Sequence, residues 1–240
     1  MKYLSVLSVC VATVLVFATS PVIADDALSD LFSQTKIYFS HIAIADGWET
    51  EVAVLNPTDK TVSGNFTFYD MDGNQLGDTI PKTLNPYGRY QVEVGSAFAG
   101  RGNIEYMIFT APTYGLKGYS KFYNNHDGIR ASIMASTPQT SGLFTKIDHE
   151  GWTGIAFVNT ASVMAHITLT AYSDAGDPIA IEPMDVKPGE KVVKTAEKIF
   201  APQSISRASY VSFTSDQGVV GFFLNGSEDN LKKLDGSKAL

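Results

Sequence analysis

One phrase occurs twice in this chain. Residues 45–56 read ADGWETEVAVLN, and residues 149–159 read HEGWTGIAFVN. Each sets a glycine before tryptophan, then threonine and a run of small and β-branched residues, and closes on asparagine. Trp48 and Trp152 lie 104 residues apart, and Asn56 and Asn159 lie 103 apart. The correspondence continues: TFYDMDGN (67–74) matches TAYSDAGD (170–177), and LNPYG (84–88) matches VKPGE (186–190). Phe98 answers to Phe200, YMIFT (106–110) to YVSFT (210–214), and GLKGY (115–119) to GVVGF (218–222). The offset drifts only across turn-rich stretches, which is the mark of a folding unit duplicated in tandem. A chain of 240 residues is long enough to hold two such units.

Each copy reads as β structure. In NFTFY the apolar Phe66 and Phe68 alternate with Asn65, Thr67 and Tyr69, and in ITLTAY Ile167, Leu169 and Ala171 alternate with polar neighbours. A period of two places one face in a core and the other in water. YDMDGNQL and YSDAGDPI supply Asp, Gly and Asn where a hairpin turns, and Pro86 and Pro188 mark a second turn. The pattern predicts an all-β fold of two tandem homologous antiparallel β-sandwich domains, Ig-like or jelly-roll-like, with about seven strands each. GSAF (95–98) and AEKIF (196–200) each predict one helical turn burying Phe98 or Phe200. The expected layout is a signal peptide (1–24), a lead segment (25–35), repeat 1 (36–128), a connector (129–140), repeat 2 (141–231) and a polar tail (232–240).

The shared letters are expected to be scaffold. Trp48 and Trp152 anchor the cores, Asn56 and Asn159 bond neighbouring backbone, and Phe98 and Phe200 complete the packing. The pattern W-x-T-x-I/V-A-x-V-N, then T-x-Y-x-x-x-G, a P-G turn and a closing G-F strand resembles secreted bacterial proteins built of tandem β-sandwich repeats. The resemblance covers about residues 37–231 and implies a fold, since no established activity goes with the group.

The first 26 residues run Lys2, a long apolar stretch, Pro21 and the small-residue site Val22-Ile23-Ala24 before Asp25. This order predicts a secretory signal peptide cleaved after Ala24, with no membrane span in the remainder. The expected address is therefore secreted, periplasmic or cell-surface. The single cysteine, Cys10, falls inside that segment, so the processed chain makes no disulfide and does no thiol chemistry. A net charge of −7 gives no basic surface for a phosphate backbone, so nucleic acid is not expected as a partner.

No catalytic motif stands out. DMDGN places Asp70, Asp72 and Asn74 at alternate positions, but its glycine is fourth rather than sixth and position twelve is Pro81, so it reads as a turn and not a calcium loop. His41, His126, His149 and His166 lack zinc-ligand spacing and do not coincide between the copies. Neither G-x-S-x-G nor a phosphate-binding glycine loop is present. Metal, cofactor and catalytic residues are accordingly expected to be none. The informative asymmetry lies in the tyrosines: the first copy has Tyr87, Tyr90, Tyr114, Tyr119 and Tyr123, where the second has mostly smaller residues. With Asn125 beside them, they form the candidate ligand-binding set for a glycan, an envelope component or a protein partner. The expected function is a non-catalytic exported binding or structural module presenting loops and edge strands. The alternative is an exported polysaccharide-active hydrolase using Glu93 or Glu105 near the same aromatics. A two-domain assembly chaperone ranks below both, since its unlike domains and basic cleft do not match two alike, acidic copies.

Overall fold

The computed structural model describes residues 35–113, 115–227 and 233–240. The expected signal peptide, nearly all of the lead segment, Tyr114 and Leu231 lie outside the described residues. Residues 33–240 form one compact unit. Before residue 135 come β1 (Thr35–Phe39), β2 (Trp48–Leu55), β3 (Val62–Tyr69), β4 (Ile80–Leu84), β5 (Arg89–Glu93), β6 (Tyr106–Ala111), β7 (Lys117–Asn124) and β8 (Ile129–Met134). After it come β9 (Gln139–Phe144), β10 (Gly151–Asn159), β11 (Ala165–Tyr172), β12 (Pro178–Val186), β13 (Lys191–Thr195), β14 (Tyr210–Ser227) and β15 (Leu234–Lys238). The two predicted helical turns are the short helices Val94–Ala97 and Ala196–Phe200.

All ladders are antiparallel. The first half makes two four-stranded sheets, β1-β6-β3-β4 and β5-β2-β7-β8. The second half makes a single seven-stranded sheet, β12-β11-β14-β10-β13, with β9 and β15 also paired to β14. The difference lies in one strand. The first part of β14, from Tyr210, pairs with β9 and β11, as β6 does with β1 and β3. Its last part pairs with β10 and β15, as β7 does with β2 and β8. In the first half Pro112, which has no N–H to give a ladder, stands between the two strands. Ser215 and Asp216 continue the chain in β14.

Two stretches differ from expectation. Ile129–Met134, read as connector, is strand β8 on β7. Leu234–Lys238, read as polar tail, is strand β15 on β14, and Leu143 and Leu240 exchange backbone hydrogen bonds beyond it. In β8 buried Ile129 and Ile133 alternate with exposed Arg130, Ser132 and Met134, one face to the interior and one to water.

Two apolar cores follow. Phe39, Phe66, Phe68, Phe109 and Val52 centre the first, and Phe144, Phe157, Phe200 and Phe213 the second. Between the halves lie two smaller clusters: Tyr38, Tyr106 and Ile108 against Val158 and Val220, and Phe122 and Ile133 against Ala156 and Phe222.

The tryptophans do not occupy matching sites. Val54 pairs with Gly118 and Phe157 with Gly221, and the register then runs without a bulge to Trp48–Asn124 and Gly151–Ser227. Counted along the ladder, Trp152 stands where Glu49 stands, one position on from Trp48. Period two sends neighbouring side chains to opposite faces. Trp48 turns to the side of Thr50 and lies 6.2 Å from Phe122, while Trp152 lies over Gly154 and Gly226. Both rings are half-buried, as is Phe98, whereas Phe200 is fully enclosed. The true equivalents at this end are Thr50 and Thr153, both fully buried. Thr50 Oγ1 bonds the backbone of Ala43, and Thr153 Oγ1 accepts from Asp148 N–H at 2.7 Å. At the other end Asn56 donates to Lys60 and Asn85 carbonyls, and Asn159 to those of Val163 and Val186.

Candidate functional site

The outer face of β5-β2-β7-β8 gathers most of the polar chemistry of the first half. Thr50, Val52 and Val54 of β2 face the core, so Glu49, Glu51, Ala53 and Leu55 face outward. Opposite them on β7 stand Tyr123, Lys121, Tyr119 and Lys117, and on β5 Glu93, Gln91 and Arg89 stand opposite Glu51, Ala53 and Leu55. Directly opposed residues share a face, with their Cβ atoms about 5 Å apart.

Glu51 is the centre of this face and is nearly buried. Tyr119 Oη donates to Glu51 Oε1 at 2.5 Å, Arg89 donates to Tyr119 Oη, and Arg89 Nη2 and Lys121 Nζ lie 3.8 and 3.9 Å from Glu51. Tyr123 Oη donates to Glu93 Oε1 at 2.9 Å, and Lys121 Nζ lies 5.4 Å from the Tyr123 ring centre. Loss of water contact, then the Glu93 acceptor and its charge, push the Tyr123 hydroxyl up to about 12. Loss of water contact and Glu51 raise that of Tyr119. Both phenols stay protonated donors at neutral pH. Glu49 is taken by structure: its carboxylate accepts from Gly95 N–H, Ser96 N–H and the Ser96 hydroxyl at 2.7, 3.1 and 3.0 Å. A pocket of about 310 Å³ opens here, with Glu51, Glu93, Lys121, Tyr123, Asn125 and Arg130 in its wall.

Of the four candidate tyrosines among the described residues, the structure brings two together. Tyr119 and Tyr123 share the face, and exposed Asn125 lies beside Tyr123. Tyr90 points to the core side, 5.8 Å from the Phe66 ring with Lys82 Nζ 3.8 Å above its own. Tyr87 is 69% exposed on the β4–β5 turn with φ of 55°. Of the two candidate acids, Glu93 is on the face, but Glu105 is committed to Lys191 Nζ at 3.0 Å between the halves. The DMDGN segment is a turn in which Asp70 accepts from Asn74 N–H and Nδ2 at 2.8 and 3.0 Å. Among the described residues no cluster of three or more His, Cys, Asp or Glu is placed to hold a metal ion.

The second half treats the same face differently. In ladder register, Glu51, Ala53, Leu55, Gln91, Tyr119, Lys121 and Tyr123 become Gly154, Ala156, Val158, Val193, Phe222, Leu224 and Gly226. That apolar face is covered by the first half at Ala156, Phe222, Val158 and Val220. On β13 its charge, Lys191, answers to Arg89; it is fully buried and bonds the Glu105 carbonyl and carboxylate at 2.8 and 3.0 Å. Lys191 Nζ also lies 3.4 Å from His41 Nδ1, whose ring packs on Phe122 and Phe222. This junction was not legible in the sequence, because Lys191, Glu105 and His41 are far apart along the chain and belong to no motif.

No protein-family model matches the chain, and no curated protein matches it. Among solved structures it is similar to Thermotoga maritima 1070, with 14% identity over 42% of this chain and 92% of that one and a TM-score of 0.37. A Parabacteroides distasonis protein shows 10% identity over 86% of this chain and 78% of that one, with a TM-score of 0.24. A glycosyl hydrolase family 2 member from Bacteroides cellulosilyticus shows 9% identity over 85% of this chain and 26% of that one, with a TM-score of 0.21. All three likenesses are too distant to inform the site.

Proposed function

We propose that this chain is an exported, non-catalytic binding module of two tandem sandwich halves, Ig-like or jelly-roll-like, whose first half offers the outer face of β5-β2-β7-β8 to a glycan. Export rests on the order of charge, apolar run and small-residue site in residues 1–24. The single observation that carries the binding reading is the contrast between halves. One ladder face is apolar and covered in the second half, and polar, aromatic and open in the first. A solvated face needs only charges to stay soluble. This one instead fixes Tyr119 and Tyr123 as donors to Glu51 and Glu93, leaving aromatic rings flanked by Lys121, Arg130 and Asn125. Rigid rings with donors and acceptors at their rims suit a hydroxyl-rich ligand.

The test is retention on insoluble polysaccharides and on envelope fractions. Tyr119→Ala with Tyr123→Ala is expected to lower retention about tenfold, equivalent to about 1.4 kcal/mol, with unchanged thermal stability. Tyr87→Ala, on its separate turn, is expected to leave retention intact. Undiminished retention in the double variant would remove this face from consideration. The hydrolase reading keeps one specific support, the direct opposition of Glu51 and Glu93 across the ladder. Release of reducing ends that disappears in Glu93→Gln would establish it in place of the binding reading.

A further inference from the structure

The first half meets the second through the outer face of its β1-β6-β3-β4 sheet, and the second half repeats that face and leaves it open. Tyr69 and Tyr106 lie opposite each other in the ladder and stack with ring centres 4.8 Å apart. Their counterparts Tyr172 and Tyr210 do the same at 5.2 Å. Beside the first pair, Tyr38 and Ile108 are buried against Val158 and Val220 of the second half. By register these two residues become Leu143 and Ser212. Leu143 is 42% exposed and Ser212 is half-buried. The first half thus shows what such a face accepts: the outer face of another sheet laid against it.

Charge and shape select the partner. The middle row of the open face runs Leu143, Ser212, Thr170 and Ile181 across four strands. The next row runs Ser141, Thr214, Thr168 and Pro183. With the tyrosine pair, these rows hold no charged side chain, on a chain of net charge −7. Two residues further along the strands His166 and Asp185 stand opposite each other and pair at 2.8 Å. Such a face offers a charged partner nothing to pair with. Copies of an acidic chain repel wherever like charges meet, and an uncharged face is where two of them can approach. The ends of the middle row also complement each other. At the β12 end Ile181 is 55% exposed, and at the β9 end a hollow of about 480 Å³ opens beside Ser141, Leu143 and Ser212. A two-fold axis along the strands turns the row end for end, so Ile181 of each copy meets Leu143 of the other.

We propose that this face pairs with the same face of a second copy, forming a two-fold dimer in which Ile181 of each chain fills the hollow at Leu143 of the other. Three rows on four strands span about 20 Å each way. That is the size of a weak, concentration-dependent contact rather than a permanent one. The pairing goes beyond the glycan reading and does not use the Tyr123 face, so the two stand or fall separately.

The experiment is sedimentation velocity of the processed chain at concentrations from about 1 μM to about 1 mM. A monomer–dimer equilibrium is expected. Leu143→Lys alone and Ile181→Asp alone, both at exposed sites, should each weaken it about tenfold without moving the thermal midpoint. An equimolar mixture of the two variants should recover dimers, because in the mixed pair the introduced lysine faces the introduced aspartate. Val163→Asp, at an exposed apolar site on the β10–β11 turn, should change nothing. A chain that stays monomeric throughout overturns the pairing; if Ile181→Asp then lowers retention on polysaccharide, the face takes a sugar instead. A dimer indifferent to both substitutions overturns this face as the contact. Dimers weakened by each substitution but not restored in the mixture overturn the two-fold arrangement.

Discussion

Lys191 shows how one residue can serve the fold in a way its neighbours in sequence do not reveal. Its ammonium is fully enclosed, and enclosure pulls its pKa down while the Glu105 carboxylate partly restores it. Breaking such a pair leaves a buried charge without compensation. Glu105→Ala is therefore expected to cost about 3 kcal/mol, the low end for a buried pair because Glu105 itself is partly exposed. Urea denaturation measures it, and Lys191→Met combined with Glu105→Gln should recover most of the loss. His41 carries the pH dependence of the same junction. Loss of water contact, then the adjacent Lys191 charge, hold its pKa well below the usual value. Its full contribution is present above the unfolded pKa of about 6.5 and is lost as pH falls from there toward the folded value. Thermal melts between pH 7 and 5 should thus show a steeper fall for the native chain than for His41→Gln.

At the level of strands, the alternation of small and large residues decides what can lie on a sheet. Gly226 stands opposite Trp152, and a Cβ there would fall 2.3 Å from Cζ2 of the indole. Gly226→Ala must push the ring away, at an expected cost of about 2 kcal/mol by overpacking. A red-shifted tryptophan emission would report the displaced ring, and an unchanged spectrum and midpoint would contradict the packing described. The same strand, β14, carries the second half's two ladders without a break, whereas Pro112 parts β6 from β7. A break at that point frees the two sheets of the first half from one another, and its open face lies on one of them.

Within residues 33–240 the two halves form one unit because they meet through unlike surfaces. The apolar outer face of the second half covers Tyr38, Tyr106 and Ile108 of the first, and Tyr106 Oη donates to Gly189 carbonyl at 2.8 Å. The turn at Gly73, with φ of +83°, abuts the turn at Gly189 so closely that a Cβ would sit 2.5 Å from Gly189 C. Backbone on both sides leaves nothing to give way. Gly73→Ala is expected to loosen the junction and to split a single calorimetric unfolding transition into two. One transition at the native midpoint would show that the turn contact contributes little. Because the contact is heterologous, the mirror surface on the first half is left open, and there the polar face with Tyr119 and Tyr123 is found.

Local chemistry was readable from the chain alone: strand period, hairpin turns at Asp and Gly, the repeat of about one hundred residues, and the asparagines that close β2 and β10. These depend on neighbours within a few positions, or on a copy of the same letters, and both are visible in one dimension. Register was not. Matching tryptophan to tryptophan maximises shared letters, while the hydrogen-bond ladder counts positions and so places Trp152 at the station of Glu49. Two of the tyrosines were legible as a surface feature, but which of the five would meet depended on the side of the sheet each residue faces. The buried Lys191–Glu105–His41 contact depends on how one half lies on the other. Sequence alone specified the alternation that makes sheets, because that is set residue by residue. Tertiary packing alone decided which equivalent face is covered and which stays open, because that depends on complementarity between surfaces far apart in the chain.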